Sequence, residues 1–438
     1  MEQNMFIRIL NSEMELATGC TEPGAVALTA AEAGQALRKA GVDKAEEITV
    51  NASINIIKNA MSAGIPGTDY EGMDYAAAIG ALGGDPVYLL EVMNHVPRET
   101  VEAAAALVKA GKVRVNVAQV PQKLYIEVIA KGGGHTGRAI VRDLHTNVVL
   151  VEQDGVATLD KRDTDTAAAG DSDVVSPEQI ASFLTVRSIW DYCTKELDPM
   201  NDPIDIIRSA VKVNSVISDE GLSKEYGLAI GRNLDLNCRK GLMTRDLTTN
   251  SMIAAAAGAD ARMAGAPVSV VANSGSGNQG IAATLPVVVY ADETAADEEH
   301  TIRALVLSHL TVIYIKQSLG RLSALCGCVV AATGSSCGIT YLMGGAYEQV
   351  AAAVKNMIAN LTGMICDGAK PSCSMKLTSG VSTAVISAMM AMDGHCVTPV
   401  EGIIEEDVDK CIRNLTAIGR DGMNETDRVV LGIMTHKC

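Results

Sequence analysis

Three places in this chain of 438 residues hold cysteines in settings that could be reactive. Cys20 lies in Gly19-Cys20-Thr21-Glu22-Pro23. Leu325-Cys326-Gly327-Cys328 precedes Gly334-Ser335-Ser336-Cys337-Gly338. Cys366-Asp367-Gly368-Ala369-Lys370-Pro371-Ser372-Cys373 is bounded by cysteine at both ends. Gly368 and Pro371 force a loop there, which leaves both sulfurs free to turn toward one ion or cluster. Iron–sulfur clusters are held by thiolates, and loops also supply backbone N–H donors to the sulfides. Two buried thiols explain the pair equally well, since free cysteine is among the most buried residue types. Forty residues separate Cys326 from Cys366 and seven separate Cys366 from Cys373, with no compact C-x2-C pair. That argues against a zinc ribbon or a ferredoxin. Three thiolates without a fourth suit a cluster with one open iron, which acts as a Lewis acid on a substrate.

A second signal is Ser274-Gly275-Ser276-Gly277-Asn278-Gln279-Gly280. Such a loop exposes backbone N–H groups and can cradle a carboxylate or a phosphate; by itself it reads as readily as a tight turn. Lys58 and Asn59 could reach a site or belong to a solvated helix. Lys370 could tune the charge of a cluster. His135, after three glycines, is a polar site residue or a turn residue. His95, His145, His300, His309, His395 and His436 show no metal-ligand spacing and read as structural. Cys193, Cys238, Cys396 and Cys411 read as buried thiols.

Taken together, Gly19–Pro23, Ser274–Gly280, Cys326-Gly327-Cys328 and Cys366–Lys370 resemble the L-cysteine desulfidase family. The segment 55–68, with Lys58-Asn59 and Gly64-Ile65-Pro66-Gly67-Thr68, is similar too, and the match runs in order along essentially the whole chain. The C-terminal half resembles, more loosely, the alpha chain of iron–sulfur L-serine dehydratases, whose Cys-Asp loop is longer. The resemblance implies that Cys326, Cys366 and Cys373 hold a [4Fe-4S] cluster with one open iron and that Cys20 is the catalytic base. Cys328 and Cys337 are near enough to stand in for Cys326, which occupies the position of the family's first ligand. Ser274, Ser276 and Asn278 are expected to bind the substrate carboxylate, with Lys58 and Asn59 also at the substrate. Cys438, the last residue, is either a resting ligand, as in the serine dehydratases, or a frayed end. The implied reaction is β-elimination of L-cysteine to hydrogen sulfide, pyruvate and ammonia. L-serine dehydration on the same cluster is the nearest rival. A pyridoxal-phosphate lyase using Lys58, Lys370 or Lys376 is another. An iron–sulfur or thiol redox sensor is the non-enzymatic one.

These residues need a scaffold. Hydrophobic residues make up 48% of the chain but aromatics only 3%, and mean hydropathy is +0.18. Small side chains at that density suit helices packed backbone to backbone. Residues 5–40 read as helix, interrupted at 19–24 by Pro and two Gly. Val- and Ile-rich runs at 47–54, 113–120, 124–130 and 140–151 read as strands, with helices at 72–82 and 97–110. Residues 156–175 read as a linker. Ser176-Pro177-Glu178-Gln179 and Asp202-Pro203 read as helix starts. A helix is predicted over 350–365 from its apolar steps of three and four; 268–272 and 286–290 are strands or helix ends. The expected fold is α+β: an N-terminal helical segment (1–45) carrying Cys20, a small domain with a mainly antiparallel sheet (46–175), and a larger, mainly α-helical catalytic domain (176–438).

The net charge of −16 disfavours nucleic acid and anionic membranes as partners. The apolar stretch 302–319 is interrupted by Arg303, His309 and Lys316 and reads as a buried helix, not a membrane span. The first residues lack a basic, apolar leader. The expectation is therefore a cytoplasmic protein with a small amino-acid substrate, and a homodimer as its assembly.

Overall fold

The computed structural model describes residues 4–163, 175, 177–320 and 323–436. The β-branched runs become β2 (Glu47–Ala52), β3 (Val113–Val117) and β4 (Tyr125–Gly132), while the run expected over 140–151 is broken by a turn between β5 (His135–Arg142) and β6 (Val148–Gln153), and β7 (Val156–Asp160) follows. They form one sheet in the order β3-β2-β4-β5-β6-β7. All its pairs are antiparallel except β2–β3. That pair is parallel because the helices Met73–Gly83 and Arg98–Lys109 carry the chain back between the two strands. Alternate residues of β4 (Ile126, Val128, Ala130) point inward, where the helix Thr21–Lys39 covers them.

Small residues allow the close approach that the composition suggested. A Cβ on Gly137 of β5 would sit 2.0 Å from the Ala33 carbonyl oxygen, and one on Gly80 would sit 2.2 Å from that of Ala27. The Thr21–Lys39 helix therefore touches both the sheet and the Met73–Gly83 helix through backbone, which any larger residue would push apart.

The helices from Pro177 onward share a second core, in which Glu298–Leu319, Gly327–Leu342 and Cys373–Met392 are central. The first 45 residues divide between the two cores. Phe6, Ile7, Ile9 and Leu10 pack with the helical body, and the Thr21–Lys39 helix packs with the sheet. Leu431, from the last helix Asn424–Thr435, also enters the sheet's core. The architecture is the expected α+β fold.

Several local expectations give way. Met14–Thr18 (β1) is a strand, not helix, because it pairs antiparallel with Ser269–Asn273 (β8), from Met14 opposite Asn273 to Thr18 opposite Ser269. Tertiary pairing overrides local propensity there. Of the expected linker, 156–160 is β7, and 164–174 lies outside the described residues. So does Ser176, while Pro177 opens the helix Pro177–Phe183. The helix expected at Asp202-Pro203 begins at Asp205; the Asp202 carboxylate instead accepts the Asp198 N–H at 3.0 Å. Residues 286–290 lie within the helix Gly277–Thr294. The helix predicted over 350–365 spans Tyr347–Leu361; Gly363, at φ +130°, turns the chain out of it before Cys366. The stretch 302–319 is a buried helix, as expected. Among the described residues Cys373–Met392 alone has the length and apolarity to cross a membrane, and half of it is buried within the protein.

Candidate active site

A single β-bridge draws the distant cysteines together. Leu325 pairs antiparallel with Ile365. The Cys326 N–H donates to the Met364 carbonyl at 2.9 Å, and the Cys366 N–H to the Ala324 carbonyl at 2.7 Å. The bridge places the two cysteines side by side, one at the start of the helix Gly327–Leu342 and one at the start of the loop. Gly368 (φ +96°) then turns the loop against Lys58: a Cβ there would be 2.1 Å from the Lys58 carbonyl oxygen. The Cys373 N–H donates to the Lys370 carbonyl at 2.9 Å, and Cys373 opens the helix Cys373–Met392.

Each of these sulfurs meets a backbone N–H. Cys328 supplies it to Cys326, Gly368 to Cys366 and Lys370 to Cys373. The Cys328 thiol also donates to Cys326, which lowers the pKa of Cys326 and raises that of Cys328. Burial, and then the charge of neighbouring thiols, holds Cys366 and Cys373 up, Cys373 to about 12. Lys376 acts on all three sulfurs, Lys58 on Cys366 and Lys316 on Cys326. Four mutually interacting thiols, Cys326, Cys328, Cys366 and Cys373, with N–H donors and lysine charges around them, fit a thiolate-bound cluster. Among the described residues no three Cys, His, Asp or Glu side chains converge tightly enough for a single ion.

Cys20 comes to the same place from the other end of the chain. Gly19 (φ +69°) turns the backbone beneath the ring of Pro66, which leaves no room for a Cβ: one would lie 2.5 Å from it. Cys20 is the N-cap of the Thr21–Lys39 helix. It packs with Ala63 and Met263, and Ala369 and Cys373 lie against that group. A helix N-terminus favours thiolate. Burial outweighs it. The thiol is pushed up to about 11, with the nearby Arg262 charge pulling down and Glu22 pushing further up. Thr21 donates from its hydroxyl to the Gly275 carbonyl at 2.9 Å, which ties this helix start to the 274–280 turn.

That turn is held from behind. Ser274 (φ +48°) and Gly275 (φ +77°) reverse the chain after β8. The Ser274 hydroxyl donates to Asn273 Oδ1 at 2.9 Å, and Asn273 Nδ2 donates to His309 Nδ1 at 3.0 Å. With Nδ1 accepting, His309 Nε2–H donates to Thr284 Oγ1 at 3.1 Å, and Thr284 donates onward to the Gly280 carbonyl at 2.7 Å. Asn214 Nδ2 completes the chain to Thr284 at 3.1 Å. A neutral imidazole satisfies every bond in it, and burial holds the His309 pKa down to about 3. Ser276, the N-cap of the Gly277–Thr294 helix, makes no side-chain cap.

Arg262 escapes sequence reasoning. It is buried beside Asn278 and donates from Nη1 to Asn278 Oδ1 at 3.1 Å. The one signal was its isolation, a lone cation in the Ala- and Gly-rich run Ala254–Ala266.

Lys58 and Asn59 do arrive here, with partners of their own. Lys58 is buried; Nζ lies 2.5 Å from Asp427 Oδ1 and donates to the Cys366 carbonyl at 3.3 Å. It clamps the cysteine loop. Asn59 donates to Glu22 Oε1 at 2.9 Å, and its own Oδ1 is buried without a partner. Lys370 and Lys376 both pair with Asp367. His135 is elsewhere, in the exposed β4–β5 hairpin, 2.8 Å from Asp154. Cys337 is buried within the Gly327–Leu342 helix. Cys193 and Cys411 are buried, whereas Cys238 and Cys396 are half-buried. Cys438 lies outside the described residues.

Comparison with known proteins gives a consistent picture. Residues 88–432 match the family described as serine dehydratase alpha chain. The UPF0597 protein BF3560 of Bacteroides fragilis is 51% identical over 437 residues, covering 100% of this chain and 99% of its own length. A UPF0597 protein of Bacteroides thetaiotaomicron is 50% identical over 441 residues, covering 100% and 98%. UPF0597 protein PBPRB0240 of Photobacterium profundum is 42% identical over 434 residues, covering 99% of each.

Proposed function

Since this chain belongs to the serine dehydratase alpha chain family, we propose that it is a lyase of that kind acting as an iron–sulfur-dependent L-cysteine desulfidase. The observation that carries the reading is the meeting of Cys20 with the Cys366–Cys373 loop, because it sets a base candidate beside the cysteine group. Cys326, Cys366 and Cys373 would hold a [4Fe-4S] cluster, which when bound supplies a Lewis-acidic iron to the substrate's leaving group.

The chain's own residues do the rest. Cys20 Sγ takes the Cα proton; a positioned base contributes about 10²–10⁴-fold. Its thiol must first give up a proton, and the Arg262 charge nearby favours that. Ser274, Ser276, Asn278 and the open N–H groups at the start of the Gly277–Thr294 helix hold the carboxylate. The buried surroundings of Cys20 exclude water from the proton transfer. Loss of the Cα proton and of sulfide leaves aminoacrylate, which tautomerises and hydrolyses to pyruvate and ammonia. Lys58 acts as a positioning residue through the Cys366 carbonyl. We place the enzyme in the cytoplasm, as a homodimer.

L-serine shares the carboxylate and amine, with hydroxide as leaving group, and is the second reading on family grounds. The test is kcat/KM for L-cysteine and L-serine on one anaerobic preparation. Faster sulfide release than serine deamination supports the desulfidase; the reverse order makes the protein a serine dehydratase.

A further inference from the structure

We propose that Arg262 anchors the substrate's carboxylate, forming with the first turn of the Gly277–Thr294 helix a site for α-amino and 2-oxo acids. The proposal deepens the lyase reading and rests on it.

Arg262 is 3% exposed. A buried guanidinium needs a counter-charge, because desolvation of an unpaired ion costs several kcal/mol. Among the described residues no carboxylate lies within ion-pair distance of it. Glu22 already accepts from Thr21 at 3.0 Å and Asn59 at 2.9 Å. Among the described residues the Arg262 side chain makes one hydrogen bond, from Nη1 to Asn278 Oδ1, and Nε is buried with no acceptor. Its flat fork of donors matches a carboxylate in shape.

The position of the fork fits the same ligand. A Cβ on Gly277 would lie 2.2 Å from Arg262 Nε and 2.8 Å from Cζ. The guanidinium therefore rests on the opening residue of an 18-residue helix. Ser276 makes no side-chain cap there, so the first N–H groups of the helix and the unpartnered Nε face one anion. Arg262 also acts on Cys20, which puts a carboxylate held there within the surroundings of the proposed base. Substrate and the product pyruvate both carry that group, so both should bind.

Titration calorimetry on the anaerobically purified protein tests this with L-alanine, which has no leaving group, and L-alaninamide, which has no carboxylate. Arg262→Gln should weaken L-alanine on the order of 10²-fold, as loss of one partner of a buried charge pair does, and leave L-alaninamide unchanged. Arg262→Lys, a point charge without the fork, should weaken L-alanine by about 10-fold and carries the test if Arg262→Gln does not fold. Equal weakening of both ligands, unchanged L-alanine affinity in the variants, or no binding of L-alanine by the wild type overturns the proposal. The lyase reading fails separately. Arg262-dependent binding of L-alanine by a cluster-loaded protein that releases neither sulfide nor ammonia from any amino acid would keep the anchor and remove the reaction.

Discussion

The turns at 132–135 and 274–280 are both glycine-rich, and each reads from sequence either as part of a site or as a plain turn. In the structure they differ in what surrounds them. The first closes the β4–β5 hairpin in solvent. A Cβ on Gly134 would meet nothing within 4 Å, and the His135 and Asp154 side chains are 45% and 39% exposed. The second is enclosed. A Cβ on Gly280 would lie 1.8 Å from the Val271 carbonyl oxygen, and one on Gly277 would strike Arg262. At Gly133 and Gly134 glycine answers chiefly to φ, +55° and +82°, although Gly132 beside them lies against the Lys44 carbonyl. At Gly277 and Gly280 glycine answers instead to close neighbours, the Arg262 guanidinium and the Val271 carbonyl. Two motifs of equal local strength therefore separate only through packing.

Substitutions can widen or close that contrast. The largest effect is expected at the cysteine loop that lies against Cys20. Cys366→Ser or Cys373→Ser should remove nearly all iron from anaerobic protein, and turnover with it, as read by iron analysis and sulfide release. Next comes Cys20→Ala, expected to lower kcat by about 10²–10⁴-fold with iron retained; loss of iron in that variant would make Cys20 a ligand instead.

The Lys58–Asp427 pair tests whether the loop is clamped from the sheet side. Lys58→Met leaves a buried carboxylate and should cost about 3–5 kcal/mol in chemical denaturation. Replacing both partners by apolar residues should recover much of it. Full additivity of the two single changes would show that the pair is not coupled.

His309 probes the support behind the buried turn. Its folded pKa, about 3, lies below the ordinary 6.5. Below pH 6.5 the unfolded chain takes a proton that the folded one refuses, so this contribution is intact above 6.5 and lost as pH falls toward 3. The slope approaches 1.4 kcal/mol per pH unit, roughly that of one proton. Denaturation curves at pH 7 and pH 5 should converge for His309→Asn relative to wild type; equal slopes in both proteins would contradict the network.

The smallest effects belong to the exposed hairpin. Gly134→Ala should cost about 1 kcal/mol through its positive φ, with kcat unchanged. His135→Ala should leave activity intact and the melting temperature within about 2 °C of wild type. A large loss of activity in either would dissolve the contrast between the turns.

How much of this was legible beforehand follows from range of interaction. The Val- and Ile-rich runs announced the sheet, and the cysteine spacing announced the loop, because both are local patterns. Met14–Thr18 read as helix because its partner Ser269–Asn273 stands beyond the middle of the chain, out of reach of any local pattern. Lys58 read as a substrate contact because nothing near it names Asp427. Arg262 carried no motif at all; its meaning lies in what fails to neutralise it, which only packing reveals. The raised pKa of Cys20 likewise has no local signal, since burial rather than the helix start decides it.

The central claim is that Cys326, Cys366 and Cys373 hold a cluster on which cysteine is cleaved. One anaerobic preparation tests it most directly, assayed for iron, acid-labile sulfide and sulfide released from L-cysteine. The account predicts roughly four irons per chain, with equimolar sulfide and pyruvate produced from cysteine. A protein without iron or activity, even after cluster reconstitution, would contradict it and return the three cysteines to the role of buried thiols.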